Sequence, residues 1–288
     1  MINRDHAYRM LAWRLKQAGI ESSSLDARVL VQAACKASDI EMIREPGIML
    51  TPDEEMLLAG YEARRLAHEP VSRIVGRREF WGLEFEVTDA TLDPRADSET
   101  LIEAALDLLR DVKSPRLLDI GTGTGCLLLA LLHERQDASG IGVDVSPDTL
   151  KVAERNAARL DLALRAGFTE GVWCGGLDMR FDLVISNPPY IERDTIGSLA
   201  PEVLLHDPVL ALDGGVDGLD AYRALVAEIP DVLVPGGVAV IELGAGQADA
   251  VAALFELAGF TAISTKKDLA GIDRALVARM QRAVSEPD

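Results

Sequence analysis

Cysteine, histidine and aromatic residues are scarce in this 288-residue chain, and positive charge is outweighed. The three cysteines, Cys35, Cys126 and Cys174, stand far apart, and the four histidines, His6, His68, His133 and His206, show no ligand spacing. Neither a disulfide framework nor a zinc site is expected, and no other metal site is predicted. Each of these residues reads first as packing or surface. Lys and Arg number 29 against 47 Asp and Glu, a formal net charge of −18. That balance disfavours salt-sensitive contacts along a phosphate backbone, so no direct nucleic acid partner is expected. Nowhere do about 18 apolar residues run together. The first residues, MINRDHAYRM, carry charge where a signal peptide needs an apolar segment. The absences predict a cytoplasmic protein with no membrane contact, of about two domains at roughly 100 to 200 residues each.

What is present divides the chain in two. Over residues 1–78, apolar residues recur at helical spacing, as in Ala7, Met10, Leu11 and Leu15, and again over 25–34 and 53–68. Thr51 before Pro52 reads as a helix N-cap with proline at the first helical position. The spacing predicts a small N-terminal helical-bundle domain. Aromatic and apolar residues around Gly82, in Glu79-Phe80-Trp81-Gly82-Leu83-Glu84-Phe85, predict a hairpin linker over 79–90. From 91 to 288, apolar runs of strand length alternate with helical patterns, which predicts an α/β domain with a doubly wound, Rossmann-like parallel sheet. Strands are expected at 116–120, 140–145, 181–186 and 238–243, with weaker ones at 162–165, 261–265 and 274–279. A short loop over 268–273 joins the last two, so they are expected to pair antiparallel.

The first strand of this half runs into Asp119-Ile120-Gly121-Thr122-Gly123-Thr124-Gly125, with a helix directly after. Glycines there let the backbone turn tightly and approach a ligand at the helix start. Cys126 stands where a dinucleotide fingerprint would put its third small residue, which disfavours close docking of a pyrophosphate. Asp144, ending the second strand, is placed to accept hydrogen bonds from ribose hydroxyls, as acidic residues do at this distance from a glycine loop. Its bland alternative, a helix cap before Pro147, suits Ser146 better. An adenosine ligand without phosphate is the consequence, and S-adenosylmethionine fits. Trp173, in a loop after the third strand, is a candidate to lie beside the adenine, with a core tryptophan as the alternative.

The fourth strand ends in Ser186-Asn187-Pro188-Pro189-Tyr190. Two prolines after an asparagine can be no more than a turn, since proline fixes φ and pushes the preceding residue into an extended conformation. At the point where a doubly wound sheet reverses its strand order, however, this stretch borders the ligand crevice. The Asn187 side-chain oxygen and the Pro188 carbonyl can both accept from one planar NH2 group, held in place by rigid prolines, with the Tyr190 ring to lie against. A conjugated nitrogen is a poor nucleophile, so such a site must align its lone pair with a methyl donor and stabilise the charge that develops. Asn187, Pro188 and Tyr190 are thus the catalytic candidates, and Asn187, Pro188, Pro189 and Tyr190 the substrate-binding ones. Gly121, Thr122, Gly123, Thr124, Gly125, Asp144, Trp173 and Asn187 are the cofactor-binding set.

With these motifs the chain resembles the bacterial protein-(glutamine-N5) methyltransferases that modify class-1 peptide chain release factors. The resemblance spans nearly the whole length: Pro70-Val71-Ser72-Arg73-Ile74-Val75-Gly76, the glycine loop, Asp144-Val145-Ser146-Pro147, Asn187-Pro188-Pro189-Tyr190-Ile191, Ala211-Leu212-Asp213-Gly214-Gly215 and Lys267-Asp268-Leu269-Ala270-Gly271 with Asp273-Arg274. It implies a class I methyltransferase fold, S-adenosylmethionine as methyl donor, and the glutamine of a Gly-Gly-Gln loop as acceptor, with the helical domain 1–78 docking the protein substrate. The Asn-Pro-Pro-Tyr block alone is shared with adenine-N6 methyltransferases acting on nucleic acid, the alternative that the negative charge opposes. Three positions depart from the family pattern: Val172 where an acid is usual, Asp93 where an apolar residue is, and Ala96 where proline is.

Overall fold

The computed structural model describes residues 1–281, which fall into two compact units: Met1–Arg77 with Ala200–His206, and Arg78–Leu199 with the chain from Asp207 onward. The smaller unit is helical, with α1 (Arg4–Gln17), α2 (Ser23–Cys35), α3 (Asp39–Arg44), α4 (Pro52–Leu66), α5 (Val71–Val75) and the late short helix Pro201–His206. Local chemistry sets where two of these begin. Ser38 and Thr51 accept the backbone N–H of Glu41 and Glu54, whose carboxylates return to the cap N–H groups. Such reciprocal caps satisfy donors that a helix start leaves bare, each worth about 1 kcal/mol. Leu11, Leu15, Leu30, Val31 and Ile74 form the core between the helices.

The larger unit begins one residue into the hairpin of β1 (Arg77–Phe80) and β2 (Leu83–Glu86), whose Phe80 and Phe85 meet edge-to-face and are buried in this unit's own core. There follow α6 (Glu99–Leu109), β3 (Arg116–Ile120), α7 (Cys126–Glu134), β4 (Ser139–Asp144), α8 (Pro147–Arg159), β5 (Ala166–Glu170) and β6 (Phe181–Ser186). Helix Asp220–Val232, β7 (Leu233–Glu242), helix Ala248–Leu257, β8 (Phe260–Lys267) and β9 (Asp273–Met280) complete it. Seven strands make one sheet in the order β5-β4-β3-β6-β7-β9-β8, parallel except for β9, which runs antiparallel to both neighbours. The expected doubly wound sheet and antiparallel final pair are therefore present. Two apolar clusters, one around Leu117, Leu128 and Leu183 and the other around Leu118, Val184 and Ile241, cover the alternating faces of these strands.

Two strand expectations are corrected. Residues 162–165 form a turn, and β5 starts at Ala166. Asp161 takes a left-handed φ of 59°, and the Leu162 N–H then bonds to the Ala157 carbonyl while its side chain is buried. The apolar run thus closes α8 as a C-terminal cap and does not pair in the sheet. Strand β7 begins at Leu233, five residues before its expected start, because Pro235-Gly236-Gly237 reads as a turn but is accommodated as an irregularity between β6 and β7.

Candidate active site

Register brings the predicted motifs together. Ile120 on β3 lies opposite Val143 on β4 and Ser186 on β6, so the next residues, Gly121, Asp144 and Asn187, leave three adjacent strand ends at one edge. The order reverses between β3 and β6, the point at which ligands settle in such sheets. Gly121, Gly123 and Gly125 all have positive φ, at 69°, 57° and 81°. A side chain at either of the first two would meet no atom within 4 Å, whereas one at Gly125 would press Leu129 and Ala153. The loop therefore packs at its helix end and offers bare backbone to an open cavity, which is lined by residues 92–95, Ser98, 121–124, Cys126, Leu127 and Asn187.

Two carboxylates brace this loop. Asp144 accepts the Gly123 N–H through Oδ2 and the Ser146 N–H through Oδ1, both at 3.0 Å, while Ser146 itself caps α8 by accepting the Thr149 N–H. Asp119 is fully buried; its Oδ2 accepts from Thr122 Oγ1 at 2.7 Å and from the Leu128 N–H, and its Oδ1 has no partner among the described residues. Burial pushes its carboxyl up to about 7 against those hydrogen bonds, with nearby Asp144 adding to the rise. A buried acceptor left open beside a glycine loop suits a cationic, hydrogen-donating ligand and repels phosphate. Arg95, a cation in the lining, is already engaged by Asp207 at 2.7 Å. Burial pushes the Cys126 thiol up to about 12, which favours the neutral thiol at the helix start.

On the other side of the cavity, Asn187 donates through Nδ2 to Ser98 Oγ at 3.3 Å. Ser98 in turn donates to Glu242 Oε2 at 2.5 Å, and the Tyr190 hydroxyl donates to Oε1 of the same carboxylate at 3.3 Å. No described residue donates to Asn187 Oδ1 or to the carbonyl of buried Pro188. Burial pushes Glu242 up to about 7, opposed by the Ser98 hydrogen bond, by Arg274 and by Tyr190. Burial, reinforced by the Glu242 charge, pushes the Tyr190 phenol up as well, so it is a neutral donor. Arg274 is held by Asp268 at 3.1 Å and by the Leu243 carbonyl at 3.0 Å.

Of the predicted site residues, 121–124 and Asn187 line the cavity; Asp144 reaches it through Gly123, and Tyr190 lies behind it on Glu242. Pro189 is half-buried outside the lining. Trp173 sits in the turn after β5 with φ 52°, half-buried against the apolar cluster of Leu118 and Val184 and outside the lining. Ser98 and Glu242 are absent from the predicted site residues, and Arg274 stands in one of the family motifs without an assigned role. A lone acid ending the apolar run Val238-Ala239-Val240-Ile241 was the available signal, since a buried carboxylate needs partners.

Among the described residues no helix is long and apolar enough to cross a membrane, and no cluster of three or more His, Cys, Asp or Glu is placed to hold a metal ion. Residues 6–76 match the PrmC N-terminal domain, and residues 96–216 match the methyltransferase small domain. A release factor glutamine methyltransferase of Rhodospirillum rubrum is 47% identical over 94% of this chain and 83% of its own length. One of Bradyrhizobium diazoefficiens is 47% identical over 96% of this chain and 94% of its own. A methyltransferase from Pyrococcus furiosus, 18% identical with a TM-score of 0.51 over 77% of this chain and 99% of its own, shares the fold alone. Identity at this level over nearly the whole chain, with a match to the N-terminal domain model as well, places the chain in one family: it belongs to the release factor glutamine methyltransferases.

Proposed function

We propose that this protein transfers a methyl group from S-adenosylmethionine to the side-chain amide nitrogen, N5, of the glutamine in the Gly-Gly-Gln motif of class-1 peptide chain release factors. The observation that carries this reading is the Asn187 amide, gripped from its nitrogen side by Ser98 beside the glycine-loop cavity, so that its oxygen is left to accept. When bound, S-adenosylmethionine supplies an electrophilic methyl group. Gly121, Thr122, Gly123, Thr124 and Gly125 are assigned to hold it with Asp144 and Trp173, and the open Asp119 oxygen suits its cationic end. Asn187 Oδ1 and the Pro188 carbonyl each accept one hydrogen of the substrate NH2, which orients the nitrogen lone pair and stabilises positive charge as it forms there. Pro189 stiffens the segment, and the Tyr190 ring limits where the amide plane can lie. No strong base is needed, because the nitrogen becomes acidic once alkylated.

Residues 1–78 are assigned to docking of the protein substrate. Binding energy far from the reacting atom raises the rate of a large substrate over a small one. Intact release factor should therefore be methylated far faster than a peptide of the Gly-Gly-Gln loop alone. Mass spectrometry after reaction should map a gain of one methylene to that glutamine. Label on adenine of a nucleic acid, with the glutamine untouched, would overturn the proposal.

The cofactor assignment has its own test. Asp144→Ala removes the acceptor assigned to the ribose together with the brace on Gly123, and a hydrogen bond to a charged group is worth roughly 1.5 to 3 kcal/mol. Calorimetry should then give a cofactor Kd weakened about tenfold to a hundredfold, at about tenfold per 1.4 kcal/mol. An unchanged Kd would remove Asp144 from the site.

A further inference from the structure

We propose that Glu242, acting through Ser98, is a positioning residue that fixes which way the Asn187 amide faces. An asparagine amide is nearly symmetric in shape, so packing alone does not decide whether its oxygen or its nitrogen meets a ligand. A donor or acceptor on its far side must decide it. Ser98 stands there, and a serine hydroxyl has only one proton to give. That proton goes to Glu242 Oε2 at 2.5 Å, which leaves Ser98 Oγ facing Asn187 as an acceptor, and Asn187 answers with Nδ2 at 3.3 Å. Asn187 Oδ1 is thereby turned to the cavity side. Without the carboxylate, the Ser98 hydroxyl is free to donate to Asn187 Oδ1, and the amide can turn its NH2 towards a substrate that itself offers NH2.

The arrangement is built, and its parts come from three separated stretches of chain. Ser98 is 3% exposed, Glu242 is 1% exposed, and the two are 144 residues apart. Glu242 ends β7 beside the end of β6, where Ser186 pairs with Ile241, so the sheet register sets the carboxylate behind Asn187. Its second oxygen takes the Tyr190 hydroxyl, so a single buried acid tethers both side chains of the Asn-Pro-Pro-Tyr segment. A carboxylate without partners would be costly at this depth. Here Ser98 and Tyr190 supply two donors, and Arg274 supplies opposite charge.

The proposal rests on the glutamine reading for its acceptor, and the test separates the two. Wild type, Ser98→Ala, Glu242→Gln, Asn187→Ala and the Ser98→Ala/Asn187→Ala double variant are compared for single-turnover methylation of intact release factor and for cofactor Kd. Loss of one directing hydrogen bond should lower the Ser98→Ala rate about tenfold. Glu242→Gln, whose amide can donate to Ser98 as well as accept, should fall between it and wild type. Far-UV ellipticity should match wild type throughout, showing folded protein, and cofactor Kd should stay within about twofold for Glu242→Gln, whose side chain lies outside the cavity lining. Because Ser98 acts only through Asn187, its removal should cost nothing further in the Asn187→Ala background, the non-additivity that marks residues working as one unit. Rate losses that multiply, or a Ser98→Ala rate equal to wild type, would overturn the relay. Wild-type enzyme that leaves the glutamine unmodified would overturn the glutamine reading instead, and the same variants compared on whichever NH2 acceptor is labelled would still decide the relay.

Discussion

Asn187→Ala should lower the rate of methyl transfer about a hundredfold or more, the usual cost of deleting one well-placed polar partner of a reacting centre. Cofactor affinity should change little. The asparagine stands at the end of β6 with its nitrogen already committed to Ser98, so what the variant removes is the acceptor turned to the substrate NH2. The Pro188 carbonyl remains, but one acceptor leaves the NH2 free to rotate about the surviving hydrogen bond, and the lone pair loses its alignment. A hundredfold loss corresponds to about 2.7 kcal/mol of transition-state stabilisation. Single-turnover kinetics at saturating cofactor, with calorimetry of the cofactor alone, separates the two effects. Near wild-type turnover would reduce the segment to a turn.

The second large effect is on stability and lies in the helical unit. Arg65→Met should lower the unfolding free energy by about 3 to 5 kcal/mol, as removal of one partner from a buried ion pair does. The Arg65 side chain is 3% exposed and that of Asp26 9%, with Nε to Oδ2 at 2.7 Å. Methionine fills much of the same volume but leaves the Asp26 carboxylate buried without its cation. The guanidinium also donates to the Glu69 carbonyl at 3.4 Å and pairs with Glu202 at 2.5 Å, and this second ion pair counts for less because that carboxylate is 42% exposed and screened by water. Urea unfolding of the full chain, followed by far-UV ellipticity, measures the loss. Adding Asp26→Asn should recover part of it, since the stranded charge is then gone. A loss below about 1 kcal/mol would mean that water reaches Asp26 and that the pair behaves as a surface one.

Features legible in the sequence are those decided within a few residues. The 3.6 and 2 periodicities separate a helical unit from an α/β unit because each reflects one element's own buried face. Thr51 and Ser146 cap their helices as their positions before proline indicate, through bonds that span three residues. Three glycines at alternate positions mark a loop in left-handed conformations that side chains resist. Asn187 followed by two prolines announces a rigid strand exit with an amide on it. The motifs thus named most of the residues at the sheet edge.

What the sequence did not carry is which distant residues meet. Leu162 has the composition of a strand, yet it closes a helix, because a buried contact across the preceding turn competes with sheet pairing for the same apolar side chain. Pro235-Gly236-Gly237 reads as a break, yet β7 runs through it as extra residues opposite the step from Phe181 to Leu183 on β6. Glu242 stands out only as a lone acid ending an apolar run, with nothing local to name Ser98 as its partner, and Arg65 meets Glu202 across 137 residues. Local pattern sets the elements and their exposed chemistry, since it acts over one turn or one strand. Strand order and register alone set Glu242 behind Asn187, because such pairing depends on which strand ends become neighbours when the sheet closes, and no local period encodes that choice.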